Sequence, residues 1–98
     1  MAREAVLPVP SPVLVRLPPV LATLFPDIER VVPLHASSVG EMLDGLDARW
    51  PGMRDRICDS TPAIRRHINV FVEGKRATLD TPLQPGADVF ILTAISGG

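Results

Sequence analysis

Asp88-Val89-Phe90-Ile91-Leu92-Thr93-Ala94-Ile95-Ser96-Gly97-Gly98 closes the sequence, and its reading decides the fold. Val89 to Leu92 is an unbroken run of strand formers, which suits a central strand. Alternation along it puts Val89 and Ile91 on one side and Phe90 and Leu92 on the other. Beyond the strand the chain thins to Ser96, Gly97 and Gly98. Glycine has no Cβ and tolerates most backbone angles. Read as the terminus, such an arm can thread a channel too tight for side chains and present the Gly98 carboxylate to a reagent.

Working back from that strand, Ile68-Asn69-Val70-Phe71-Val72 is a second clear strand, entered through Arg65-Arg66-His67. Ile68, Val70 and Val72 share one face; Asn69 and Phe71 share the other. Glu73-Gly74-Lys75 turns the chain, Arg76 to Leu79 is expected to form a short strand, and Pro85-Gly86 turns into the last one. Leu79 and Leu83 are expected to plug the core under a crossing loop.

Upstream, Ser38-Val39-Gly40-Glu41 has the form of a capping box: the serine hydroxyl accepts from a first-turn amide and Glu41 reaches back. Val39, Met42, Leu43, Leu46 and Trp50 follow at helical spacing as one apolar stripe. Glu41 and Asp44 lie near the positive end of that helix. Pro51 disfavours a helical Trp50 and stops the run. Pro51 to Pro62 reads as irregular, with room for one short turn.

Before the helix, Val13-Leu14-Val15-Arg16-Leu17 alternates around an outward Arg16, with Val13, Val15 and Leu17 facing the core. Pro18-Pro19 ends it. Val20 to Phe25 is ambiguous between a helical turn and loose packing, and Ile28 to Leu34 reads as a strand that can pair with the first as a hairpin. Pro8, Pro10 and Pro12 make residues 1–12 a loose, proline-rich tail, with a polyproline docking ligand as the alternative.

The order is strand, strand, helix, strand, short strand, strand. It predicts a two-layer α+β domain over residues 13–93, with residues 94–98 as a free arm. One helix covers one face of a sheet. Assigning Ile68, Val70, Val72, Val89 and Ile91 to the covered face leaves Phe71, Phe90 and Leu92 on the open one. An exposed apolar patch of that kind marks a partner site.

Composition narrows the function. Ninety-eight residues make one domain, 46% hydrophobic and 21% charged, with a net charge of -1. That balance gives no support for nucleic-acid or polybasic membrane binding. The apolar runs are too short to span a bilayer, and the proline-broken N-terminus lacks a signal-peptide core, so a cytoplasmic location is expected. Cys58 is the one cysteine, which excludes an internal disulfide. His35 and His67 carry no ligand spacing, and no metal site is expected. Without a His or Lys neighbour, Cys58 reads as an inert thiol rather than a sulfur relay.

Together the β-grasp order, Val70-Phe71-Val72-Glu73-Gly74-Lys75, the turn Gly86-Ala87-Asp88-Val89 and Ser96-Gly97-Gly98 resemble the MoaD/ThiS ubiquitin-like sulfur carriers. Ala36 to Leu43 followed by Trp50-Pro51-Gly52 also resembles that family's helix and its exit. The likeness covers Val13 to Gly98. It implies a ubiquitin-like β-grasp, a mixed sheet of four to five strands with one main helix.

It also implies a protein co-substrate, not an enzyme. A ubiquitin-activating-type adenylyltransferase would use ATP and magnesium to turn the Gly98 carboxylate into an acyl-adenylate. A persulfide or sulfurtransferase would then supply sulfur, and the Gly98 thiocarboxylate would serve a downstream acceptor enzyme. Phosphate and magnesium chemistry would belong to the partner. Gly97 and Ser96 would form the slim arm, and Phe71, Phe90 and Leu92 would match the family's docking face.

The chain departs from many members in its proline-rich tail, in Thr93 where they have proline, and in the long segment from Pro51 to Arg66. The long segment from Pro51 to Arg66 and the ending Leu92 to Gly98 resemble carriers that serve cysteine or specialised-metabolite biosynthesis. The small subunit of molybdopterin synthase and a thiamin-type carrier are the alternatives within the family. A lysine-conjugated modifier and a plain β-grasp interaction module are the alternatives outside it.

Overall fold

A computed structural model describes residues 11–61 and 63–93. The elements run β1 (Val13–Arg16), α1 (Val20–Leu24), β2 (Val31–Leu34), α2 (Val39–Arg49), α3 (Met53–Ile57), β3 (Ile68–Val72), β4 (Lys75–Arg76) and β5 (Asp88–Thr93). The five strands form one mixed sheet in the order β2-β1-β5-β3-β4. β1 pairs antiparallel with β2 and parallel with β5, and β3 pairs antiparallel with β5 and β4. The last strand in sequence is therefore central in space. Its backbone is paired on both edges, and its unbroken apolar run puts apolar side chains on both faces of the sheet.

The core follows the alternation. Val13, Val15, Val32, Leu34, Ile68, Val70, Val89 and Ile91 are buried from the sheet, and Val39, Met42, Leu43 and Leu46 from the stripe of α2. Leu17, just past β1, is buried with them. Val72 differs from expectation: it is half-buried and packs at the margin of the core. It pairs with Lys75 beside the hairpin turn and borders a recess lined by Pro82, Gln84 and Pro85. That turn has Glu73 at φ 51° and Gly74 at φ 83°. Two successive positive φ values make the tight turn whose twist suits a two-residue hairpin.

The start of α2 is satisfied twice over. Ser38 Oγ accepts from Glu41 N–H at 3.1 Å, as the capping pattern predicts. Glu41 reaches back one residue further, its carboxylate accepting from Ser37 N–H at 2.8 Å. The free donors of the first turn meet the crossing loop: Val39 N–H donates to Thr81 O and Gly40 N–H to Leu79 O. A Cβ on Gly40 would sit 3.4 Å from Leu79 O, so the glycine lets the loop lie against the helix. Leu83 is buried and Leu79 half-buried beneath that crossing.

Two readings are corrected and a third is made definite. The second strand starts at Val31 rather than Ile28, because residues 25–28 close a turn through Ile28 N–H to Phe25 O. The fourth strand is Lys75–Arg76, shifted from Arg76 to Leu79, because the chain leaves the sheet at Thr78 to reach α2. The segment after Pro51 holds a real helix, α3. Its N-terminal donors are capped from a distance: Asp47 on α2 accepts from both Gly52 N–H and Arg54 N–H at 3.0 Å. Arg54 returns an ion pair to Asp44 at 2.9 Å and a bond to Gly40 O.

Candidate functional site: the open face of the sheet

Strand register assembles the open face. Val31 lies beside Arg16, Arg16 beside Phe90, Phe90 beside Phe71, and Phe71 beside Arg76. Five residues from five strands thus form one row across the sheet. The next row toward the end of β5 pairs Leu92 with Asn69. Phe90 is 40% exposed and Leu92 43%, whereas Val89 and Ile91 between them are fully buried. Phe71 is half-buried. The three residues expected on this face stand next to one another, as the alternation predicts.

Arginines flank the apolar centre. Arg16 lies over the Phe90 ring at 5.2 Å, within cation–π range. Its guanidinium also reaches Asp88 at 3.4 Å, while its Nε is buried without a hydrogen-bond partner among the described residues. On the other side Arg76 donates to Asn69 Oδ1 at 2.6 Å. The face is an aromatic and leucine centre with cations at both ends. Such a surface can bury apolar area against a partner and accept acidic groups at its rim.

Cys58 is no part of it. The thiol is buried beyond α3, and loss of hydration pushes its pKa up, more than the nearby Arg54 and Arg65 bring it down. A raised pKa makes a poor nucleophile, consistent with an inert thiol. In the same loop Asp59 is held below the usual aspartate range by hydrogen bonds from Thr61 Oγ1 and N–H, with Ala63 N–H adding to them. That carboxylate organises its own turn. No group of three or more His, Cys, Asp or Glu residues that could hold a metal occurs among the described residues. No helix there is long and apolar enough to cross a membrane.

The family model described as "ThiS family" matches residues 16–98, from the arginine beside Phe90 through Gly98. The chain belongs to the ThiS family. No curated protein matches it by sequence. Among solved structures it is similar to the Amycolatopsis orientalis BexX/CysO complex, at 28% identity, 88% of this chain, 99% of that one and a TM-score of 0.78. It is also similar to SAMP1 from Haloferax volcanii, at 26% identity, 88% and 98% coverage and a TM-score of 0.73. Mycobacterium tuberculosis CysO shares the fold at 24% identity, 85% and 99% coverage and a TM-score of 0.75. The sheet order and the single long helix are those of a ubiquitin-like β-grasp.

In this ThiS-family chain, Phe71, Phe90 and Leu92 come together on one surface. Ser96, Gly97 and Gly98 lie outside the described residues, as do residues 1–10 of the proline-rich tail. Sequence reasoning placed Asn69 on the face of Phe71 but missed Val31 and Arg76 as neighbours of the patch. Arg16 was legible as outward-facing, but its place over Phe90 depends on the parallel β1–β5 pairing, which no local pattern announces.

Proposed function

We propose that this ThiS-family protein is a sulfur carrier whose reactive group is the Gly98 carboxylate. A carboxylate is a poor acyl donor because its leaving group is bad. An ATP-dependent adenylyltransferase corrects that: a carboxylate oxygen attacks the α-phosphorus, pyrophosphate leaves, and Gly98 becomes an acyl-adenylate. A persulfide sulfur then attacks the acyl carbon and displaces AMP. A thiol cleaves the resulting acyl disulfide, releasing the Gly98 thiocarboxylate and a new disulfide. The carrier's own residues supply recognition: Phe71, Phe90 and Leu92 dock the activating enzyme, and Ser96 and Gly97 carry Gly98 into its site. ATP and magnesium are held by the partner.

The family match running through Gly98, past the last described strand, carries this reading. Likeness to a CysO solved in complex with a second protein supports a docked partner. The sulfur is proposed to reach cysteine or specialised-metabolite biosynthesis, in keeping with Thr93, the long segment from Pro51 to Arg66 and the likeness to CysO. A cytoplasmic setting fits that chemistry.

The experiment is adenylation by the cognate activating enzyme, read as pyrophosphate release, followed by intact mass after a sulfur donor is added. One oxygen of the native chain should be replaced by sulfur. Deleting Gly97 and Gly98 should leave the fold intact and abolish adenylation. Equal adenylation of the shortened chain would overturn the carrier reading. Likeness to SAMP1, a small archaeal modifier protein, favours one second reading: transfer of the same acyl group to lysines. Diglycine remnants on target peptides would reveal it.

A further inference from the structure

On the β4 side of the sheet, the pairing that covers β3 runs out early. Phe71 pairs with Arg76 and Val72 with Lys75, and Ala77 N–H donates to Val70 O at 2.8 Å. The chain then turns away at Thr78, while β3 continues back to Ile68. Between the diverging segments lies a cleft of about 410 Å³. Its floor is the edge of β3 at Ile68, Asn69 and Val70, and Ile64 and Leu79 flank it. Arg65, Arg66 and Arg76 also line it, against the one acid Asp80. None of the three arginines forms an ion pair among the described residues.

The cleft is held open from both sides. The Thr78–Thr81 wall is fixed to the start of α2 by Gly40 N–H to Leu79 O and Val39 N–H to Thr81 O. The opposite wall is fixed by Arg65 N–H to Ile57 O and by Ile68 N–H to Arg65 O. Neither wall can collapse onto the strand edge without breaking those bonds. A preformed cleft spares a ligand the cost of ordering it.

We propose that this cleft is a second docking site, which takes an extended acidic segment of a partner protein as an added strand along β3. On this edge Val70 O and Ile68 N–H are already bonded to Ala77 and Arg65, so the segment would pair through Ile68 O and Val70 N–H. Alternation in the added strand would turn apolar side chains toward Ile64 and Leu79. It would turn acidic ones toward Arg76, which shares the face of Asn69. The net positive lining selects an acidic segment over a basic one. The site lies at the edge of β3 and needs no activated terminus, so it stands or falls apart from the carrier reading.

The test titrates the full ¹⁵N-labelled chain with a capped hexapeptide of alternating valine and glutamate. Saturable shifts are expected at the Asn69, Val70 and Ala77 amides. A valine–lysine peptide, and the R66E/R76E double variant with the acidic peptide, should each bind about tenfold more weakly or worse. Melting temperature and amide dispersion check that the variant folds. If it does not fold, N-methylation of alternate peptide residues, which removes main-chain donors, should abolish binding to the native chain. Absent shifts at Val70 and Ala77 would overturn the proposal, as would equal binding of the lysine peptide or of the charge-reversed variant. Inorganic phosphate producing the same shifts at the same concentration would overturn it too, by marking a small-anion site.

Discussion

The two faces of β5 differ more than their residues do. Val89 and Ile91 point toward α2 and are fully buried; Phe90 and Leu92, equally apolar, point away and are 40% and 43% exposed. A strand apolar on both sides ordinarily reads as covered on both sides. Here one layer of helices packs on one side, and the other side is a surface of Phe71, Phe90 and Leu92 edged by Arg16 and Arg76. The same alternation thus encodes a core and a contact surface. Cover, not hydrophobicity, separates them.

The largest expected effect breaks the covered face. Ile91→Ala removes a fully buried side chain from the central strand and should cost about 2–5 kcal/mol in chemical denaturation. A cost near zero would mean that the two faces have been exchanged.

The next separates stability from binding. Phe90→Asp should leave the chain folded, with a stability loss of about 1 kcal/mol, since the ring is 40% exposed and lies outside the buried core. It should weaken binding to the activating enzyme by about 2 kcal/mol, roughly thirtyfold in Kd. Unfolding of this variant, or unchanged affinity in calorimetry, would deny the open face its role.

Smaller still is Ser38→Ala, which removes the cap on the helix that covers the core. A loss of about 1 kcal/mol in melting experiments is expected, with affinity at the open face unchanged. An equal loss of affinity would show that the two faces are coupled.

The smallest effect lies away from both. Asp59 has a lowered pKa in the folded chain, so its contribution is present above the unfolded aspartate value, about 3.9. It is lost as the pH falls through the lower folded value. Asp59→Asn should slightly lower stability above about pH 3.9, leave the most acidic region nearly unchanged, and so make the acid limb of the stability–pH curve shallower. An unaltered acid limb would mean that the Thr61 bonds do not persist in solution.

Residues whose partners lie nearby in the chain were legible. Ser38 as a cap, the stripe from Val39 to Leu46, and the faces of Ile68 to Val72 and Val89 to Leu92 rest on periodicity and local hydrogen bonding. The same patterns predicted Phe71, Phe90 and Leu92 as one surface, because alternation fixes which side of a strand a residue takes. What caps the short helix after Pro51 was not legible. Its cap is Asp47, on a different helix, and Gly52 at its start carries no side chain to signal it.

By itself, then, the sequence determined the two-layer class, the helix start, the faces of the strands and the candidate reactive end, since each depends on residues close in the chain or on composition. Tertiary structure alone decided that β5 lies between β1 and β3, that Arg16 stacks on Phe90, and where β4 stops. Those are matters of register between distant segments. A register is set by the summed packing of a whole face and by anchors such as the bonds from Leu79 and Thr81 to the start of α2. No single stretch contains that sum, which is why the row of five strands and the cleft beside it emerge only when the sheet is assembled.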